Sequence, residues 1–203
     1  MQLEHPFTCI VAGPTGCGKT SLVTDIILQD GIYPRPKQVF WLYSIDQPLY
    51  KKANKRILYE QGLPDDLEER IDGKQPILVV LDDLMTVVHS NERLTNMFTV
   101  GSHHKNLSVI FITHNLFHKG KEIRNISLNT HYIILFKNPR DRRQIQSLAQ
   151  QVQPGNTRFV VQAFEDATHD AHGYLLFDLK QTTAERLRLR TNILPSDVTI
   201  VYI

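Results

Sequence analysis

The sequence predicts an α/β layer fold on a central, mostly parallel β-sheet, and three observations lead there. Five apolar runs recur along the chain, amphipathic stretches fall between them, and a glycine-rich octapeptide joins the first run to the first helix. The runs are "FTCIVAG", "QVFWLYS", "PILVVLDD", "SVIFITH" and "HYIILFKN". They are apolar at nearly every position, the pattern of strands covered on both faces.

The helices follow from spacing. After Lys19, the residues Leu22, Val23, Ile26 and Ile27 form one apolar stripe, closed by Asp30-Gly31. Leu94, Met97 and Phe98 suggest a second stripe, and "RRQIQSLAQQV" a further helix that stops at Pro154-Gly155. The tail reads differently. "TRFVVQAF" and "GYLLFDL" look like an antiparallel hairpin around a polar turn. In "AERLRLRTNI", Leu187 and Leu189 alternate with Arg186, Arg188 and Arg190, which predicts one strand face carrying all three arginines. No internal repeat or linker interrupts the chain, so 1–203 is expected to be a single domain, with a core over 1–153 and a C-terminal β extension over 154–203.

Composition narrows the function classes. The chain has 203 residues, 41% hydrophobic and 22% charged, with a formal net charge of +2. That balance suits an ordinary soluble surface, so any contact with nucleic acid must come from local patches. No apolar run is long enough to span a membrane, and "MQLEHPF" lacks signal-peptide character, so no membrane association is expected. Cys9 and Cys17 form no paired framework or zinc pattern, which suits a reducing compartment.

The octapeptide Gly13-Pro14-Thr15-Gly16-Cys17-Gly18-Lys19-Thr20, followed by Ser21, is a strand-loop-helix phosphate grip. Glycines let the backbone turn so that several N–H groups face the phosphates. Lys19 would neutralise β/γ-phosphate charge, and Thr20 would offer an oxygen to Mg²⁺. "ILVVLDDL" is an apolar strand ending in two carboxylates. Asp82 is placed to hold Mg²⁺, and Asp83 to orient or deprotonate an attacking water. A third polar strand end, "SVIFITHN", puts Thr113, His114 and Asn115 where a γ-phosphate can be sensed. His114 and His118, like His103 and His104, lack the acidic or thiol ligands of a metal site and read as solvated loop histidines.

With these residues in place, the chain resembles the FtsK/HerA-type genome-packaging ATPases of double-jelly-roll DNA viruses, in the versions of poxvirus-like viruses, Maverick/Polinton elements and adintoviruses. The likeness rests on "GPTGCGKT", "LVVLDDL", "GSHHKNLSVIFITHNLF", "FKNPRDRRQI" and "LRLRTNI". It implies a RecA-like, additional-strand P-loop NTPase that hydrolyses ATP with Mg²⁺. It also implies a homo-oligomeric ring that pumps double-stranded DNA into a capsid, with capsid or portal-vertex proteins as partners. The location implied is intracellular, in the host nucleus or a cytoplasmic virus factory, or with the virion. Two positions depart from the family: Asp83 stands where many members carry glutamate, and His114 where glutamine is common, with Asn115 as a substitute.

Ring ATPases complete each site with an arginine from the neighbouring subunit. Arg124 in "KEIRNIS" and Arg140, with Arg142 and Arg143, in "NPRDRR" are the candidates. Basic groups at Lys51, Lys52, Lys55 and Arg56, at Lys119 and Lys121, and along the arginine stripe suit either phosphates or plain solvent. Two other readings fit the same motifs, a P-loop nucleotide kinase and an assembly subunit that binds ATP without turning it over. Sheet order separates kinase from translocase, because the sensor strand of a translocase lies between the loop strand and the acidic strand.

Overall fold

A computed structural model describes residues 1–51, 55–71, 73–84, 106–117 and 129–203. Among them, nine strands form one sheet in the order β11-β10-β9-β8-β2-β7-β6-β4-β5. Six are mutually parallel: β8 (Tyr132–Phe136), β2 (Thr8–Ala12), β7 (Leu107–Thr113), β6 (Ile77–Asp82), β4 (Gln38–Tyr43) and β5 (Ile57–Gln61). The other three, β9 (Tyr174–Asp178), β10 (Leu189–Thr191) and β11 (Ile200–Tyr202), extend the sheet antiparallel. A separate parallel pair, β1 (Leu3–Glu4) and β3 (Ile32–Tyr33), flanks it.

All five predicted strands form, and their pleat explains the unbroken apolar runs. In β2, Cys9 and Val11 face one side while Ile10 and Ala12 face the other, and all four are buried. On the first side packs α1 (Lys19–Leu28), through the predicted Leu22, Val23, Ile26 and Ile27. Each such side chain contributes about 1.5–3 kcal/mol on leaving water. The opposite side is covered by the short α2 (Leu67–Arg70), by α3 (Arg143–Val152), and by α4 (Thr157–Ala167).

Two expectations for the tail are corrected. "TRFVVQAF" is not half of a hairpin but most of α4. Its buried residues Val160, Ala163 and Phe164 stand at helical spacing, and that stripe outweighs the strand preference of Val160-Val161. The segment 154–203 therefore begins with a helix, and β9 pairs with β8 and β10 instead. The three arginines do not share a strand face either. Glu185–Leu187 is a 3₁₀ turn, so only Arg190 of the three lies within a strand. Arg188 donates to the carbonyls of Asp178 (3.0 Å) and Lys180 (2.9 Å), and Arg190 pairs with Asp178 Oδ2 at 2.9 Å. Arg186 is the exposed one.

The stripe at Leu94, Met97 and Phe98 lies outside the described residues, as do Lys52, His103, His104, His118, Lys119, Lys121 and Arg124. Several short elements carried no prediction: β1, β3, β5, β11, α2 and the 3₁₀ turn Pro48–Lys51, whose Tyr50 is buried within an aromatic group of Trp41, Tyr43 and Tyr59.

Candidate functional site: a phosphate loop at the carboxyl edge of the sheet

Strand β2 ends at Ala12, and Gly13 N–H donates to the Thr113 carbonyl (3.2 Å), tying the loop's root to the tip of β7. The loop then rises and re-enters as α1. Gly18, the residue before the helix, has φ 105°, a left-handed conformation open to glycine and strained for other residues. Its carbonyl accepts from Leu22 N–H at 2.9 Å, so α1 starts without a side-chain cap and its first N–H groups point into the loop. A ring of donors at a helix N-terminus favours an anion.

Lys19 is only 6% exposed. Its ammonium donates to the carbonyls of Gly13 (2.7 Å) and Pro14 (3.0 Å), which hold the side chain back along the loop. Thr20 Oγ1 donates to Asp82 Oδ2 at 3.3 Å. That contact brings together groups 62 residues apart in the chain. Asp82 is 1% exposed, and burial raises its pKa above the usual carboxylate value. Hydrogen bonds from the Tyr50 hydroxyl (2.7 Å) and from Thr20 offset part of that burial.

Asp83 follows β6 with φ 53°, which swings it away from the strand direction. Its Oδ2 lies 3.2 Å from His114 Nε2, and its buried Oδ1 has no hydrogen-bond partner among the described residues. The predicted sensor trio is divided by the structure. Thr113 is buried and its hydroxyl donates to the Asn115 carbonyl (3.2 Å). Asn115 Oδ1 accepts from Gln144 of α3 at 3.2 Å, and His114 faces Asp83. Arg140 is exposed in the turn after β8, where its N–H is bonded to Asn138 Oδ1.

A cavity of about 330 Å³ gathers Lys19, Thr20 and Ser21 with Gln47, Asp83, His114 and His172. Thr15, Gly16 and Gly18 complete the loop side of it. Gln47 and His172 were not singled out from the sequence. His172 sits in the polar turn "THDAHG", and nothing in its neighbours marks it. A second cavity of about 320 Å³ lies between the end of β8, α3 and α4, with Arg142 at its wall. Its lining mixes apolar side chains such as Leu135, Ile145 and Phe164 with Lys137, Asn138 and Gln144, and of the glycine loop it includes only Gly13.

A glycine loop on a parallel-strand tip, a lysine folded along it, and a hydroxyl–carboxylate pair beneath define the fold of a P-loop NTPase. Solved structures share it. The genome packaging NTPase B204 from Sulfolobus turreted icosahedral virus 2, in complex with AMP, superposes with TM-score 0.57 at 14% identity, covering 88% of this chain and 96% of that one. Its complex with ATP-gammaS gives 0.58 at 12% identity, with 98% and 97% covered. The DNA-packaging ATPase B204 from Sulfolobus Turreted Icosahedral Virus gives 0.56 at 10% identity, with 98% of each chain covered. No family model and no curated protein sequence matches the chain. Among the described residues no helix is long and apolar enough to cross a membrane.

Proposed function

We propose that this chain is a RecA-like, additional-strand ATPase that works as a homo-oligomeric ring and drives double-stranded DNA into a capsid. The observation that carries the reading is the Thr20–Asp82 contact of 3.3 Å directly after Lys19. Two further observations support it. Strand β7 lies between β2 and β6, the order that separates a translocase from a nucleotide kinase. The structures of similar fold include a viral genome packaging NTPase.

The residues divide the work by chemistry. The loop N–H groups and Lys19 hold the β- and γ-phosphates of ATP. Thr20 and Asp82 supply a hydroxyl and a carboxylate oxygen, a hard donor set that fits Mg²⁺, whose charge would offset that of the phosphates. Asp83, with its unpartnered Oδ1, takes a proton from the water that attacks the γ-phosphorus, as the bond to the β,γ-bridging oxygen breaks. His114 holds the other carboxylate oxygen in place. Arg140, exposed just beyond the end of β8 beside the exposed Arg142 and Arg143, is a candidate for an arginine reaching a neighbouring subunit, and Arg124 is another. The proposed partners are duplex DNA, copies of this chain, and capsid or portal-vertex proteins, inside the host cell or with the virion.

The test is ATP turnover with and without duplex DNA, read together with oligomeric state by light scattering. DNA-stimulated hydrolysis by a ring is the expected result. An oligomer that hydrolyses no ATP with duplex of any length overturns the reading. Phosphate transferred to a nucleoside without DNA dependence would replace it with the kinase.

A further inference from the structure

We infer that His172 is the nucleoside-recognition residue of this site, accepting a hydrogen bond from the ribose or base of the bound nucleotide. The inference rests on the ATPase reading above and extends it to a residue that reading does not use.

Sheet order sets the direction in which a nucleotide must lie. The groups placed for the γ-phosphate end, Asp82, Asp83 and His114, stand at the tips of β6 and β7, on one side of β2. His172 precedes β9, on the other side of β2, beyond β8. One cavity takes in both, its lining including Asp83, His114 and His172. A triphosphate with its γ end at Asp83 therefore points its nucleoside end toward His172.

The imidazole is held in one tautomer. Its Nδ1 lies 3.0 Å from the Cys17 carbonyl oxygen. A carbonyl only accepts, so Nδ1 carries the proton, and Nε2 of the neutral ring is left as an acceptor. No hydrogen bond occupies Nε2 among the described residues. A bare acceptor repels phosphate oxygens and suits a donor, and the donors of a nucleotide are the ribose hydroxyls and the exocyclic amine of the base.

The backbone fixes this geometry as well. His172 has φ 64°, and the turn from α4 into β9 is closed by Gly173 N–H donating to the Asp170 carbonyl at 3.2 Å. At Gly173 a Cβ would fall 2.4 Å from the Ala167 carbonyl oxygen, so the turn leaves no room for a side chain there. On the loop side, a Cβ at Gly18 would sit 3.3 Å from His172 Nδ1, so ring and loop are in close contact.

His172→Asn is the discriminating variant. Asparagine tolerates positive φ, and its amide N–H reproduces the donor to Cys17, but it has no counterpart to Nε2. Affinity is measured calorimetrically for Mg-ATP and for inorganic tripolyphosphate, which lacks the nucleoside. The variant is expected to bind ATP about three- to tenfold more weakly, the loss of one neutral hydrogen bond, and tripolyphosphate as the wild type does. Retained tripolyphosphate binding reports an intact loop in the same experiment. The loss should vanish with ITP if the donor is the exocyclic amine, and with 2′- or 3′-deoxy-ATP if it is a hydroxyl. Unchanged ATP affinity, or equal weakening of both ligands, overturns the inference alone. A wild-type protein that binds neither ligand overturns the ATPase reading with it.

Discussion

The Tyr50 hydroxyl donates a 2.7 Å hydrogen bond to Asp82 Oδ2, joining an aromatic cluster on β4 and β5 to the acidic tip of β6. Asp82 is 1% exposed, so this donor and Thr20 replace the water its carboxylate has lost. Tyr50→Phe leaves the ring packed and removes the donor. Hydrogen bonds to charged groups are worth about 1.5–3 kcal/mol, so a loss of about 2 kcal/mol is expected in urea unfolding of the nucleotide-free protein. An unchanged midpoint and slope would show that the hydroxyl contributes nothing to holding the carboxylate.

Asp82→Asn should stabilise the nucleotide-free protein while it abolishes Mg²⁺-dependent turnover. Burial raises the Asp82 pKa above its ordinary 3.8, and its hydrogen bonds offset this only in part. For a raised carboxylate, the favourable contribution is complete below 3.8 and is lost as pH rises through the raised value. Asparagine keeps an acceptor for Tyr50 and Thr20 and carries no charge. The stability advantage of the variant should therefore grow as pH rises from 3.8 through the raised value, by about 1.4 kcal/mol for each unit of the shift. An advantage that shrinks over that range would reverse the sign.

The apolar strands and α1 were legible in the sequence because both of their faces, or one whole stripe, are buried, and burial writes itself into residue type. Lys19, Thr20 and Asp82 were legible because their roles depend on local spacing from the loop and on a strand end. Tyr50 and His172 were not. Each sits in a short polar stretch and acquires its place only when the sheet brings it to a partner, Asp82 from 32 residues away and Cys17 from 155. The alternating arginines misled for the opposite reason. Their period suggested a strand, but the carbonyls of Asp178 and Lys180 and the carboxylate of Asp178 draw Arg188 and Arg190 into a turn and its following strand.

Lys19→Ala should weaken Mg-ATP and inorganic tripolyphosphate alike. The ammonium already lies along the loop, held by the Gly13 and Pro14 carbonyls, so little ordering is needed when an anion arrives. Loss of a charge-assisted contact of about 3 kcal/mol corresponds to a drop of about 100-fold, measured by calorimetry. This result contrasts with His172→Asn, where tripolyphosphate is spared. If Arg140 acts in a neighbouring site, mixing Arg140→Ala with Lys19→Ala should restore some ATP turnover, because mixed assemblies then contain sites in which both residues are intact. Mixtures no more active than either parent would argue against sharing through Arg140.

Arg190→Met should destabilise the fold far more than Arg186→Ala, although the two arginines look alike in the sequence. Arg190 pairs with Asp178 Oδ2 at 2.9 Å with side chains only 14% and 5% exposed, whereas Arg186 is exposed. Thr183 Oγ1 and Lys180 N–H serve the other carboxylate oxygen at 2.9 and 3.3 Å, so removing the guanidinium strands one oxygen in a buried place on the antiparallel side of the sheet. Breaking such a pair costs about 3–5 kcal/mol, against about 0.5 kcal/mol or less for an exposed charge. Asp178→Asn placed in the Arg190→Met background should recover part of the loss, since no uncompensated charge then remains. Urea unfolding of the two single variants and the double variant measures that coupling, and a double variant no more stable than Arg190→Met would mean that the ion pair is not what secures β9 to β10.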